Sequence, residues 1–187
     1  MLPRSEKFNN SLSEIKIPLL SREQIISQER KFISDIQYSL LLKSEKNYQL
    51  PKVPKNSIII VKLLLMNVFE EAQKIISNVS IVQKETHLNQ ELCGLYPSKE
   101  IGLYYGYFLM KGNINSLSQK ASITRTRYVL SKETIENFEV NVASKEKINE
   151  FNEFCEPLFE LQNCNEEIIK ELRLLQKYAI EYISLSS

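Results

Sequence analysis

Between Gln119 and Lys132 the chain carries four basic side chains, four Ser or Thr hydroxyls and no acid. A strip of this kind suits phosphate. Lys120, Arg125 and Arg127 can neutralise phosphate oxygens and release counterions, and the planar arginine fork can also read the O6 and N7 edge of guanine. Thr124 adds a hydroxyl, and Lys111 adds a further cation upstream. If the segment is extended, the period of two along a strand puts Arg125 and Arg127 on one face. A solvated basic loop has the same composition, so the strip alone leaves both readings open.

The remaining reactive residue types form no constellation. His87 is the only histidine, so any Ser-His or Cys-His nucleophile pair would have to use it, and no glycine-flanked serine or cysteine marks a nucleophile elbow. We read it as a surface or strand-end histidine. Carboxylate pairs such as Glu70-Glu71 and Glu166-Glu167 fall at polar, helix-like positions and read as solvated faces. No cluster has metal-ligand spacing, and neither phosphate-loop nor dinucleotide-fold glycine motifs occur. The expectation is a protein that binds and does not turn over, with no cofactor.

Cys93, Cys155 and Cys164 are odd in number and lack C-x-x-C spacing, which predicts reduced thiols in a cytoplasmic protein. The longest apolar run, Ile58 to Met66 around Lys62, falls short of the about 20 residues a membrane span needs. Arg4, Glu6 and Lys7 precede no apolar stretch of the signal-peptide type. No membrane association is expected.

The elements that must position the strip follow from composition and pattern. With 187 residues, 43% hydrophobic and 25% charged, the chain can bury a core, which excludes disorder throughout. Four glycines and six prolines leave little material for a turn-rich β-sandwich. A net charge of +1 means that any nucleic-acid footprint must be local.

A unit recurs. Leu12, Ile15, Ile17, Leu19, Ser21, Arg22, Glu23 and Ile25 reappear at a constant offset as Ile135, Phe138, Val140, Val142, Ser144, Lys145, Glu146 and Ile148. Each copy reads as a strand, a serine N-cap and the start of a helix. The first helix is expected from Ser21 to about Lys46, with Ile25, Phe32, Ile36 and Leu40 near one face. Leu50 to Asn56 holds two prolines and reads as a linker. Strands are expected at Ile58–Leu65, Val79–Gln83 and Leu92–Tyr96, then a helix from Ser98 to Met110, stopped by Gly112-Asn113. Met66–Ser77 fits helix or strand.

The last 40 or so residues are heptad-periodic. Phe154, Leu161, Ile168, Leu175 and Tyr182 repeat every seventh position, and Phe151, Leu158, Asn165, Leu172 and Ala179 form a second series offset by three. This predicts a seam for helix pairing, the alternative being a helix packed on its own domain. Asn165 takes an a position, where it would fix register. Pro157 must kink the helix or sit in the first turn of a new one. Nine acids against five bases from Ser144 to Ser187 make this a spacer or partner surface that repels DNA.

The first junction, Leu12-Ser13-Glu14-Ile15-Lys16-Ile17-Pro18-Leu19-Leu20 followed by Glu23-Gln24 and Ile25, resembles the segment closing a target-recognition domain in the specificity subunits of type I restriction-modification systems. The second is similar but lacks the proline, and Lys147 stands where that family has glutamine. Pro157-Leu158-Phe159-Glu160 and Glu171-Leu172-Arg173-Leu174-Leu175 resemble motifs of the family's distal helix. Leu95-Tyr96-Pro97 before Ile101–Met110 resembles its strand and tyrosine-rich helix, and Ile123-Thr124 precedes the closing strand as in the family.

The resemblance implies an α+β fold, a small mixed target-recognition domain flanked by two long antiparallel coiled-coil-like helices. Its parts would be residues 1–20, the end strand of a preceding recognition unit; 21–50, a conserved helix; 51–143, the recognition domain; and 144–187, the distal heptad helix. It implies a non-enzymatic, DNA-binding specificity subunit that reads half of a split sequence in double-stranded DNA. Lys111, Lys120, Thr124, Arg125 and Arg127 would face that DNA. The helices would dock DNA methylase (modification) subunits, with the restriction subunit joining indirectly. Only one recognition domain fits between the junctions, which implies a truncated or split form. Two copies, or this chain and a complementary fragment, would then associate through their helices. The competing class is a helical interaction protein that bridges or blocks partners through its seam, as a decayed fragment would.

Overall fold

The computed structural model describes residues 14–28, 31–42, 50–65 and 78–185. It is mixed α+β with a long C-terminal helix, and its centre is a sheet covered on both faces. β5 (Ile58–Val61) is buried along its whole length. It pairs antiparallel with β7 (Val79–Val82) on one side and β9 (Leu92–Leu95) on the other, and β2 (Phe32–Ile33) adds parallel to β7. Successive side chains on a strand face opposite ways, and the core divides accordingly. Phe32, Ile58, Ile60 and Ile81 join one apolar cluster, while Ile33, Ile59, Val61 and Val82 join the other.

The second cluster is completed by Leu20, Ile25, Ile36, Leu88 and Leu92. Leu20 ends β1 (Glu14–Leu20), which pairs antiparallel with β3 (Tyr38–Leu42) and parallel with β8 (Thr86–Leu88). β4 (Lys52–Val53) closes that sheet on β8. The proline-rich stretch is therefore extended, as its prolines require, but is built into a sheet. Asn56, at φ 67°, turns the chain into β5 in a conformation that asparagine tolerates.

The first junction has the expected strand, and α1 (Arg22–Gln28) follows it. Gln24 reaches back to accept from the Ser21 amide at 3.1 Å, half of a capping box. The helix does not reach Lys46. It gives way to β2 and β3, so the expected long conserved helix over 21–50 and the antiparallel pair of long helices are corrected. The cause is tertiary: Phe32 and Ile33 bury on opposite faces of the central sheet, a period of two that overrides the helical spacing of Ile25, Phe32 and Ile36. Residues 43–46 of that expected helix, Leu12 of the expected strand and Met66–Ser77 lie outside the described residues.

The expected single strand Ile58–Leu65 is split at Lys62. The amides of Lys62 and Leu63 both donate to the Glu91 carbonyl, the pattern of a bulge, and β6 (Leu63–Leu65) leaves the central sheet to pair with β11 (Arg127–Val129). β10 (Ser122–Ile123) completes this three-stranded sheet.

α2 (Leu103–Ser118) lies over the first cluster through Tyr107, Ile114 and Leu117. It begins later and ends later than its sequence predicts. Gly112 faces open space and Asn113 donates to the Leu109 carbonyl, so neither residue stops a helix whose next turn is anchored by the buried Ile114 and Leu117. Its N-cap, Gly102, has no side chain to offer. Asn152 of α4 (Lys145–Leu185) supplies the cap instead: its Oδ1 accepts from the amides of Tyr104 and Tyr105 at 3.1 and 3.0 Å, and its Nδ2 donates to the Ile101 and Ile148 carbonyls. Gly102 has φ 70°, and a Cβ there would stand 2.5 Å from the Asn152 amide, so glycine is required twice over.

The second junction is not a strand. α3 (Lys132–Glu136) occupies its start, capped by Ser131, whose hydroxyl accepts from the Thr134 amide at 3.0 Å. Residues 138–144 then run without strand pairing, and Val142 is exposed because no neighbouring strand meets its alternating apolar positions. The repeat seen in the sequence therefore gives two different structures.

α4 runs through Pro157 unbroken and packs through Ile148, Cys155 and Phe159. Phe159 meets Phe32, Tyr104, Tyr107 and Phe108 edge-on, with ring centroids 4.8 to 5.8 Å apart. Farther along, polar side chains tie the helix to the β2 segment. Glu166 accepts from the Phe32 amide, Ser34 donates to Glu167 at 2.6 Å, and Lys170 pairs with Asp35 at 2.7 Å.

Candidate functional site

The basic strip folds as a hairpin. β10 and β11 pair antiparallel in the register Ser122 with Val129 and Ile123 with Tyr128, and Thr124 to Arg127 make the turn. The turn is closed by its own backbone and one hydroxyl. The Thr124 amide donates to the Arg127 carbonyl at 2.8 Å, and the Arg127 amide donates to Thr124 Oγ1 at 3.0 Å. Thr124 is thus a brace for the tip.

This geometry corrects the expected alternation. Arg125 sits in the bend and Arg127 opens β11, so a strand period does not align them. What the fold does is expose both. Ser122 through Arg127 are all exposed, and neither arginine makes an ion pair among the described residues. Two exposed guanidinium groups on a short tip form a local positive surface on a chain of net charge +1.

Beneath the tip the hairpin is anchored to the domain. Tyr128 faces inward, 1% exposed, between the outward Arg127 and the half-buried Val129. Its hydroxyl has no hydrogen-bond partner among the described residues, and burial pushes the phenol up to about 12. The Leu130 amide donates to the Lys62 carbonyl at 2.7 Å and fixes the hairpin to the bulge between β5 and β6.

The other expected residues divide. Lys120 follows α2 and is exposed, its ammonium 5.1 Å from the centre of the Phe138 ring, which holds it beside the hairpin's base. Lys132, the fourth base of the strip, pairs with Glu136 at 3.4 Å and so contributes little positive field. Lys111 is not part of this group. It lies midway along α2, two and a half turns before Lys120, at about 3.6 residues per turn. It lines a separate polar hollow of about 260 Å³ with Lys31, Ser80, Tyr107, Gln162 and Glu166.

That hollow was missed in the sequence, because its residues come from four distant segments. Lys31 donates to Gln162 Oε1 and stands 4.1 Å from the centre of the Phe159 ring, with Tyr107, Phe108 and Phe32 also within 6 Å. Burial lowers its pKa and the nearby Glu166 opposes that shift. Lys31 therefore acts as a clasp between the β2 segment and α4.

A second hollow, largely apolar, lies between β9 and α3, with Cys93 and Gly94 in its wall and Lys62, Lys132 and Glu136 around it. Among the described residues no group of three or more His, Cys, Asp or Glu side chains could hold a metal, and no helix is long and apolar enough to cross a membrane. The three cysteines are free, and His87 sits half-buried on β8.

The heptad series takes the side of α4 away from the domain. Leu158, Leu161, Ile168, Leu172 and Leu175 are each at least half exposed, and every residue from 171 to 184 is exposed. Phe151 alone turns partly inward, against Tyr105 and Phe108. No protein-family model matches this chain, and no curated protein matches it.

Proposed function

We propose that the chain is a DNA-binding specificity subunit, or a fragment of one, of a type I restriction-modification complex. In this reading it recognises half of a bipartite target in double-stranded DNA and docks the methylase subunits through its long helix. It catalyses nothing itself. Methyl transfer and translocation belong to its partners, and the restriction subunit joins indirectly.

The observation that carries the reading is the hairpin tip, where Arg125 and Arg127 are exposed and form no ion pair among the described residues, on a turn braced by Thr124. Arginine forks free of carboxylates are available to phosphate oxygens and guanine edges, and a braced turn loses little entropy on contact. Lys120 adds a phosphate contact at the base, and Lys111 lies apart from the tip. The Pro157-Leu158-Phe159-Glu160 and Glu171–Leu175 motifs support the family reading for α4. α1, at seven residues, is too short to serve as the second helix of that family's ruler.

The test is a fluorescence-anisotropy titration against duplex DNA across a salt series, with and without a methylase partner. The double variant Arg125→Ala, Arg127→Ala should weaken binding and reduce the slope of log affinity against log salt by about 1 to 2. Unchanged binding and slope would reject the assignment.

A helical interaction protein is the second reading, favoured by the open apolar side of α4 and by the near-neutral balance of residues 58–143, nine bases against eight acids. Capture of a partner with no affinity for duplex DNA at any salt concentration would select it.

A further inference from the structure

We infer that the hollow between β9 and α3 binds a small organic anion, a medium-chain carboxylate whose apolar chain fills the space and whose head pairs with Lys62. The hollow exists because β9 is an edge of the central sheet. Among the described residues no strand continues the sheet on its outer side. The space there is walled by Val53 of β4, Leu88 of β8 and Ile135 of α3, together with Leu92 and Leu95 of β9 itself.

These walls are held from outside. β4 pairs with β8, β9 pairs with β5, and the Ser131 cap fixes the start of α3. A Cβ at Gly94 would stand 2.5 Å from Val53 Cγ1 and 3.1 Å from Leu88 Cδ1, so the two sheets already touch at that point and have no room to close further. The space is preformed, and a ligand loses little to rearrangement of the walls. Its volume sets the size of the occupant. A cavity of about 150 Å³ takes benzene, or about 25 Å³ for each carbon. At that scale the hollow's 260 Å³ takes about ten non-hydrogen atoms, the number in octanoate, and a double-chain lipid is too large.

Lys62 sets the charge of the head. It is half-buried at the bulge, where its amide donates to the Glu91 carbonyl at 2.9 Å and its carbonyl accepts from the Leu130 amide at 2.7 Å. Its backbone is therefore held on both sides, yet its ammonium makes no ion pair among the described residues. A half-buried charge without a partner is costly, and a carboxylate arriving with an apolar chain supplies one. Lys132 and Glu136, both exposed, pair with each other at 3.4 Å and mark the mouth. Burial raises the pKa of the Cys93 thiol, Lys62 and Lys132 oppose that shift, and Glu136 adds to it, so the three charges converge on the wall that Cys93 occupies. Two lysines against one glutamate leave this end of the hollow positive, which selects an acid over an amine.

The site shares no side chain with the hairpin tip, so it stands whether or not the chain binds DNA. The test is a proton–nitrogen correlation spectrum of the full chain titrated with sodium octanoate and, separately, with octanol. Octanoate should shift the amides of Cys93, Gly94 and Ile135 to saturation, and octanol should bind about tenfold more weakly. Lys62→Met should weaken octanoate by about the same factor and leave octanol nearly unaffected, whereas Arg125→Ala, Arg127→Ala should change neither. Shifts that fail to saturate, or that gather on the exposed side of α4, would overturn the site. Octanol binding as tightly as octanoate, or an unchanged octanoate affinity in Lys62→Met, would overturn the anionic head.

Discussion

The two faces of α4 follow different periods. Its packed residues, Ile148, Asn152, Cys155, Phe159, Gln162, Glu166 and Lys170, recur every three or four positions and stay over one domain surface. Phe154, Leu161, Ile168, Leu175 and Tyr182, all exposed, keep a seven-residue spacing that drifts around a straight helix by about 20° per heptad. One helix therefore carries two apolar patterns, and among the described residues only the first is buried. The β10–β11 hairpin repeats the contrast on a smaller scale, with Tyr128 committed to the core and the adjacent Arg127 committed to solvent.

The contrast is broken most severely at Phe159. Removing its ring from four aromatic neighbours in Phe159→Ala should cost about 3–5 kcal/mol in urea unfolding. Next comes Gly102→Ala, which forces a Cβ into left-handed backbone and into the Asn152 amide. About 2–3 kcal/mol should be lost, read as a lower thermal midpoint.

Tyr128 sharpens the comparison through pH. Its phenol is raised to about 12 from an ordinary 10, so the folded state favours the neutral ring. The contribution is complete below pH 10 and is lost as pH climbs toward 12. Tyr128→Phe should remove that alkaline sensitivity while leaving stability at pH 7 equal or slightly higher, because the hydroxyl it deletes has no partner among the described residues. The smallest effect belongs to the exposed side of α4: Leu161→Ala should move stability by no more than about 0.5 kcal/mol in urea unfolding.

Where pattern and burial coincide, the elements could be read from the sequence. β5, β7 and β9 stand at their expected places because apolar runs bounded by turn residues become central strands. α4 was equally plain. The stretch after Ser21 was not, since Ile25, Phe32 and Ile36 satisfy a helical period and a strand period together, and the neighbouring β7 decides between them. The limits of α2 were hidden for a related reason: its cap comes from Asn152, some fifty positions away. At the site, the sequence supplied the basic residues but not the turn, and so placed Arg125 and Arg127 on a common face that a hairpin does not provide. It also grouped Lys111 with a cluster that it does not join.

The cap donated by Asn152 carries a consequence for how the molecule opens. α2 has no start of its own, so undocking of α4 would strip the amides of Tyr104 and Tyr105 of their acceptor at the same moment. The two helices must loosen together, as one cooperative block. Tension or a binding event on the distal end of α4 would then reach the beginning of α2, and hydrogen exchange at those two amides would register it before any other probe on that helix.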